Sequence, residues 1–504
     1  MRKVLLCLII LGYSCAGLKY EKHPEYEFRG TWVATVVNID WPKRADDDAE
    51  KQRKDFIKLL DFYENLNFNT LIVQVRAAGD AFYPSELAPW SRFITGEEGE
   101  SKDDFEDPLN WMLEQTHERG MQFHAWLNPY RATFDLDTTI LAENHDFRKH
   151  PDWMVKYGKK YYYDPGNKEV QNHLTEIVSE VVENYNVDGI HFDDYFYPYK
   201  IKDEVFIDST SFQRNKLRNQ SLEDWRRSNV DSLINKVHQV IKVKKPWVRF
   251  GVSPFGVWKN STTDSKGSET KAGQTTYEDL YADPVLWMQK GWLDYIVPQA
   301  YWSMEYPAAS HRIITEWWAK EATNTNLYMG NGAYKIKNNA DEAWNDKREI
   351  PKQLALARNT QAVRGNAFFS AKSLINMDAA IQKQLHKKFY RKKAINPPLI
   401  NKPLRIIPVP ILTSAERKED NIELCISHFD SVPRYLSIYN LKKNLEIDKG
   451  KLLKKTYIPI DEANTCSTIS LGSKRLKKNF GIIVEDAYGN RSEIVPIKRP
   501  KTKQ

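Results

Sequence analysis

The run Asp188-Gly-Ile-His-Phe-Asp-Asp-Tyr195 puts three aspartates and a histidine within eight residues. Carboxylates this dense can exchange protons. A pair of them can open an acetal when one protonates the leaving oxygen and the other attacks or activates water. Read as a strand, the run alternates, so His191 and Asp193 share one face while Ile190 and Phe192 share the other. Asp193 and Asp194 then point in different directions and need not be the working pair. Asp193 is the first candidate for nucleophile or general base. Asp194 either takes part in the chemistry or caps the next loop and holds Arg131. The proton donor has several candidates: Glu305, Asp80, Glu86 and Asp194 itself. Whichever it is must keep its proton near neutral pH, through burial or a neighbouring carboxylate.

Further polar and aromatic residues gather in short segments: Gln74-Val-Arg76, Gly79 to Glu86, His124-Ala-Trp-Leu-Asn-Pro-Tyr-Arg131, Ser253-Pro-Phe-Gly-Val-Trp258 and Gln299-Ala-Tyr-Trp302. Trp126, Trp258, Tyr301 and Trp302 can stack on sugar rings, and Arg76, Asn128 and Gln299 can bond hydroxyls. Asp80, Glu86, His124, Tyr130, His191 and Tyr195 complete the expected substrate-binding set. His124 and His191 lack His-Glu-x-x-His or comparable spacing, so no catalytic metal is expected. No cofactor is called for, and no nucleic-acid partner is expected.

The elements that must carry these residues alternate. Strands are predicted at Thr31–Val37, Thr70–Arg76, Gln122–Leu127, Asp188–Asp193, Val248–Pro254, Tyr295–Ala300, Leu327–Gly330 and Ala367–Ser370. Helices fall between most of them, at Gln52–Leu66, Pro108–Arg119, Lys168–Asn184, Leu222–Val243, Pro284–Lys290, Arg312–Ala322 and Gln353–Val363. Eight such units across residues 26–392 predict a (β/α)₈ TIM barrel in the α/β class. No Gly-x-Gly-x-x-Gly follows the first strand, which argues against a doubly wound sheet. In a barrel the polar segments all fall at strand C-terminal ends, while the strand starts are aliphatic. That asymmetry marks one rim as the working face.

After Asn396-Pro-Pro398 the style changes. Short strands at Asn421–Ser427, Tyr435–Tyr439, Tyr457–Ile460, Thr468–Leu471, Gly481–Glu485 and Glu493–Ile497 predict a small β-sandwich over residues 398–500. Asp486-Ala-Tyr-Gly-Asn-Arg491 looks like the turn before the last strand of a fibronectin type III-like module. The net charge of +7 is unevenly placed, since residues 391–504 hold 23 Lys and Arg against 12 Asp and Glu. The basic character thus belongs to the tail, as a solvated lysine-rich surface or a face for an anionic envelope. Cys425 and Cys466 either pair or remain separate buried thiols; neither Ala16 nor anything on to Leu424 offers a thiol nucleophile.

Arg2 and Lys3 followed by the apolar run Val4–Leu11 read as an export signal, too short to span a bilayer. It stops at Cys15, which resembles a lipoprotein signal of residues 1–15 and predicts a membrane anchor at that cysteine. Cleavage by an ordinary signal peptidase is the alternative. The expected location is the cell envelope, in the periplasm or at the outer surface.

Taken in order, Arg29-Gly-Thr-Trp32, Gln74-Val-Arg76, Gly79-Asp-Ala, Tyr83-Pro-Ser-Glu86, His124 to Arg131, Asp188 to Tyr195, Ser253 to Trp258 and Pro298-Gln-Ala-Tyr-Trp302 resemble the glycosyl-hydrolase-like 10 family. The resemblance covers most of residues 27–390. It implies a bacterial TIM-barrel glycosidase, often a lipoprotein, acting on an envelope or extracellular polysaccharide, with peptidoglycan glycan strands first. A non-catalytic carbohydrate-binding lipoprotein is the alternative. Asp188-Gly-x-x-x-Asp193 also resembles the alpha-amylase-type strand, whose second aspartate is the nucleophile, with His191 in place of the usual arginine. The chitinase-type run would place its acid at Tyr195, which argues against a substrate-assisted mechanism by that alignment.

Overall fold

The computed structural model describes residues 23–400, then 402–497 apart from 403–404, 406, 419–420, 428–432, 443–446, 459–463 and 471–478. The expected signal segment and Cys15 lie outside the described residues.

Helices begin where a side chain can satisfy the first free N–H groups. Asp48 accepts from Lys51 N ahead of α1 (Ala49–Asn65). Asp107, followed by Pro108 at the first helical position, accepts from Asn110 N ahead of α2 (Pro108–Glu118). Asn167 opens α3 (Lys168–Asn184) and Ser221 opens α4 (Leu222–Lys244) in the same way. The shorter α5 (Pro284–Gln289) and α6 (His311–Glu321) start at Asp283 and Ser310. Helix α7 (Glu349–Asn359) has no side-chain cap.

Between them run β1 (Phe28–Val33), β2 (Thr70–Arg76), β3 (Gln122–Leu127), β4 (Gly189–Phe192), β5 (Arg249–Val252), β6 (Tyr295–Ile296), β7 (Asn326–Gly332) and β8 (Val363–Phe369). They pair in parallel and close into a barrel in the order β1-β8-β7-β6-β5-β4-β3-β2. The predicted TIM barrel is therefore the fold. Every residue of β1 to β7 is buried, as continuous apolar strands covered by helices require. The outward faces pack on the helices through Val73, Phe123, Ile190, Phe250 and Leu327. The interior is filled by aromatic rings, Phe28, Trp32, Trp126, Tyr295 and Tyr328 among them. Gly251 makes this possible, since a Cβ there would lie 2.1 Å from the Tyr295 ring.

Strands β4 and β6 are shorter than the predicted runs. β4 stops at Phe192, before both aspartates, and beyond β6 only isolated bridges through Gln299 reach Phe255 and Gly330. A hairpin, Met154–Tyr157 with Lys160–Tyr163, grows from the loop after β3 and has no counterpart among the predicted strands.

Past the linker, β9 (Ile411–Lys418), β10 (Asn421–Ser427), β11 (Pro433–Leu441), β12 (Ile447–Tyr457), β13 (Asn464–Ser470), β14 (Phe480–Asp486) and β15 (Val495–Ile497) form two antiparallel sheets. Their orders are β9-β10-β13 and β12-β11-β14-β15. β9 was not among the predicted strands, and β12 lies upstream of the predicted Tyr457–Ile460. Cys425 is disulfide-bonded, and the register sets Cys466 directly opposite it.

This C-terminal domain rests on the barrel floor, where the strands begin. The Tyr435 hydroxyl donates to Met121 O at 3.1 Å, and the Tyr457 ring stacks on His117 with centroids 4.3 Å apart. Gly120 (φ +68°) both ends α2 and lets the module in, because a Cβ there would stand 2.3 Å from Lys455 O. The linker itself plugs the floor: Asn396 Nδ2 donates to Thr70 Oγ1 and Gln122 Oε1.

Candidate active site

At the opposite end, the strand ends and their loops enclose a cavity of about 370 Å³. Its wall includes Asp193, Asp194, Tyr195, Tyr199, Trp126, Asn128, Arg131, Gln299, Tyr301 and Trp302. These bring together Asp193 and Asp194 with six of the expected substrate-binding residues. Both aspartates face the same space because β4 ends one residue earlier, where strand alternation no longer governs direction.

The two carboxyls are buried, 3% and 2% exposed, and unequally provided for. Asp193 Oδ1 accepts the Tyr195 N–H at 3.2 Å, while its Oδ2 is buried without a hydrogen bond. The Trp126 indole faces the same carboxyl, but its N–H donates to Asn128 Oδ1 at 3.0 Å. Burial, then the charge of Asp194, push the Asp193 carboxyl up to about 8, against the pull of Arg131. Asp194 is also raised by burial, but the hydroxyl of Tyr199 donates to its Oδ2 and Gln299 hydrogen-bonds it, both favouring the charged form. Of the coupled pair, Asp193 is thus the better site for a shared proton and Asp194 the better anion. Arg131 lies 4.5 Å above the Tyr195 ring, a cation held beside the doublet.

The remaining expected residues sit elsewhere. His191 lies beneath the cavity inside the barrel, where Nε2 accepts from Trp32 Nε1 at 3.2 Å and meets Ser253 Oγ at 3.0 Å. Its Nδ1–H therefore faces the Tyr295 hydroxyl at 3.0 Å, which in turn donates to His124 Nδ1 at 2.8 Å. Burial lowers both imidazoles, His124 to about 3, so this chain of neutral rings braces the interior. Arg76 ties the barrel to the hairpin, donating to Asn128 O and the Tyr163 hydroxyl. Asp80 is buried, accepting from Ala78 N, and Tyr130 lies in the core between strands and helices. Glu86 is exposed in an outer groove with Glu180. Trp258 stacks on Trp317 at 5.6 Å in a separate cleft. Glu305 is exposed and paired with Arg312 at 2.8 Å. None of these eight lines the cavity.

Tyr199, Tyr334 and Lys335 line it without having been anticipated. Tyr199 belongs to the aromatic run Tyr195-Phe-Tyr-Pro-Tyr199, a usable signal; the loop after β7 carries none. Among the described residues, no group of three His, Cys, Asp or Glu is placed to hold a metal ion. No described helix is long and apolar enough to cross a membrane.

A model of the family described as glycosyl hydrolase-like 10 matches residues 27–346. The chain is 44% identical over 375 residues to the glycosyl hydrolase YngK of Bacillus subtilis (strain 168), covering 74% of this chain and 73% of that one. It is 38% identical over 364 residues to the glycosyl hydrolase DigH of Escherichia coli (strain K12), covering 68% and 82%. Among solved structures, the PgaB (BpsB) glycoside hydrolase domain from Bordetella bronchiseptica overlays with a TM-score of 0.46 at 13% identity, over 73% of this chain and 99% of that one. On the family match and the two sequence relatives, the chain belongs to the glycosyl hydrolase-like 10 family.

Proposed function

We propose that this glycosyl hydrolase cleaves O-glycosidic bonds in a polysaccharide of the bacterial envelope, with peptidoglycan glycan strands the first substrate. The observation that carries the reading is the doublet itself: two buried, adjacent carboxyls on one wall of a mouth lined with aromatic rings, both raised by burial and only Asp194 hydrogen-bonded by Tyr199 and Gln299. Asp193 is the proton donor to the leaving oxygen, and once emptied it is the base for the incoming water. Asp194 is the anion that supports charge at the anomeric carbon. Trp126, Tyr301 and Trp302 supply apolar faces for sugar rings, and Gln299 and Arg131 supply hydrogen bonds.

The chain is exported through its N-terminal signal and anchored by lipid at Cys15. The C-terminal domain is a fibronectin type III-like module. Strands one, two and five in one sheet and four, three, six and seven in the other support that reading.

The test incubates the purified protein with peptidoglycan strands stripped of stem peptides, beside chitin and α-glucans. New reducing ends from the stripped strands, lost in Asp193→Asn, are expected. Full activity in that variant would remove Asp193 from the mechanism. Binding without turnover on every glycan would make the chain a carbohydrate-binding protein instead.

A further inference from the structure

We propose that the nucleophile in this site comes from the substrate: the 2-acetamido group of an N-acetylhexosamine seated beside Asp193 and Asp194. The inference rests on the glycosidase reading above and names its substrate class.

A glycosidase that uses two carboxyls sets them on opposite sides of the scissile bond, about 5–5.5 Å apart for retention or about 6.5–9.5 Å for inversion. The closing order of the barrel puts β8 diametrically across from β4, with β1 beside β8. From that side the cavity receives Trp32, Ala34 and Phe369, with Tyr334 and Lys335 from the loop after β7. Among the described residues, Asp193 and Asp194 are its only carboxylates. Asp40, the carboxylate at the ends of β1 and β8, has both oxygens committed. One accepts Ala34 N, the other Ser370 Oγ and Lys372 N, each at 2.7 Å. Glu305 is turned outward to Arg312. Two acids adjacent in the chain thus occupy one wall, with none opposite among the described residues.

A doublet on one wall is suited to a different division of labour. The charged Asp194 accepts the acetamido N–H, which orients the amide oxygen toward the anomeric carbon and raises its nucleophilicity. That oxygen forms the new C1–O bond as the glycosidic C1–O bond breaks, and the leaving oxygen takes the Asp193 proton. The product of this step is a cyclic oxazolinium on the sugar, paired with Asp194. Water then gives a proton to the emptied Asp193 and its oxygen to C1. The ring opens back to the acetamide, and the configuration at C1 is retained overall. Atoms and electrons balance as a hydrolysis with no partner but water. Trp32, Trp126 and Tyr301 offer the apolar surface that the acetamido methyl would meet. The chitinase alignment argued against this route because Tyr195 stands where that alignment needs an acid. The structure answers the objection by supplying the acid one and two residues earlier.

The experiment uses the full chain on stripped peptidoglycan strands that have been chemically de-N-acetylated and re-acylated with acetyl, fluoroacetyl, difluoroacetyl or trifluoroacetyl groups. Fluorine weakens the amide oxygen as a nucleophile while barely changing its size. The expected result is a fall in kcat of more than about 100-fold across the series with KM changing little, and no cleavage of the free-amine strands. A flat kcat, or equal cleavage of free-amine strands, overturns the acetamido role and leaves the glycosidase reading standing. So does a covalent adduct on Asp193 or Asp194 after treatment with a 2-deoxy-2-fluoroglycoside. Failure to cleave even the acetyl strands removes both readings together.

Discussion

Strand β4 has a buried aspartate just outside each end, and their surroundings are opposite. At the floor, Asp188 Oδ2 accepts from Phe123 N at 2.9 Å and meets His117 Nε2 at 2.8 Å, while the Tyr435 hydroxyl lies 3.4 Å from Oδ1. At the mouth, Asp193 is as deeply buried and has one oxygen with no hydrogen bond at all. Leaving a buried polar group unsatisfied costs about 1–3 kcal/mol, more for a charge. The floor meets that requirement with fixed protein partners, whereas the mouth turns its carboxyl to the cavity and burial raises it. Burial alone does not distinguish Asp188 from Asp193; their partners do.

The sharpest test of this contrast substitutes each acid in turn. Asp193→Asn is expected to lower kcat by about 10³-fold, within the range of a lost general acid. The same change is expected to raise the melting temperature near pH 8. The sign follows from proton counting. The folded chain holds the Asp193 proton up to about 8, while the unfolded chain releases it in the ordinary carboxylate range. The folded state therefore binds more protons through that window, and stability falls as pH rises across it. Asparagine cannot ionise, so the variant escapes the decline. A melting temperature that drops at pH 8 would show Asp193 to be a structural acid like Asp188. Activity of the parent chain is expected to decline above the same pH as the doublet loses its proton.

At the floor the expectation reverses. Asp188→Ala leaves the Phe123 N–H and His117 without their acceptor and is expected to cost about 3 kcal/mol of stability. Activity per folded molecule should be retained, checked by denaturant titration beside assays on the soluble fraction. A selective loss of kcat would carry the chemistry to the wrong end of the strand. Trp302→Ala tests the wall rather than the acids. Losing an apolar face of that size is expected to cost about 1–3 kcal/mol of substrate binding, read as a raised KM with kcat nearly unchanged. Glu305→Gln should remain within about twofold of the parent, since its partner is a surface arginine and surface pairs contribute about 0–1 kcal/mol. A large loss there would make it the opposing acid that the cavity otherwise lacks.

The barrel was legible because its signals are periodic: capped helices and apolar strands fix their own positions, and α3 runs from Lys168 to Asn184 as expected. The site was legible only as far as the strands extend. Alternation set His191 opposite Ile190 and Phe192, and its face is the barrel interior, where it packs against Tyr295 beneath the cavity. Asp193 and Asp194 were assigned different directions by a rule that had lapsed one residue earlier. Trp258 and Tyr130, also beyond strand ends, turned toward the helices for the same reason. The loop residues Tyr334 and Lys335 follow no period, and their place depends on how the chain closes around the mouth.

The floor carries one more consequence, and it concerns orientation. Tyr26 bridges Ile395 beside the linker, so the described chain enters the barrel at the end where the C-terminal domain is seated. The lipid anchor proposed at Cys15 would therefore hold the molecule by that end. With that anchor in place the mouth would open away from the anchoring surface, with the barrel standing between them. Reach, as well as chemistry, would decide which strands such an enzyme can cut.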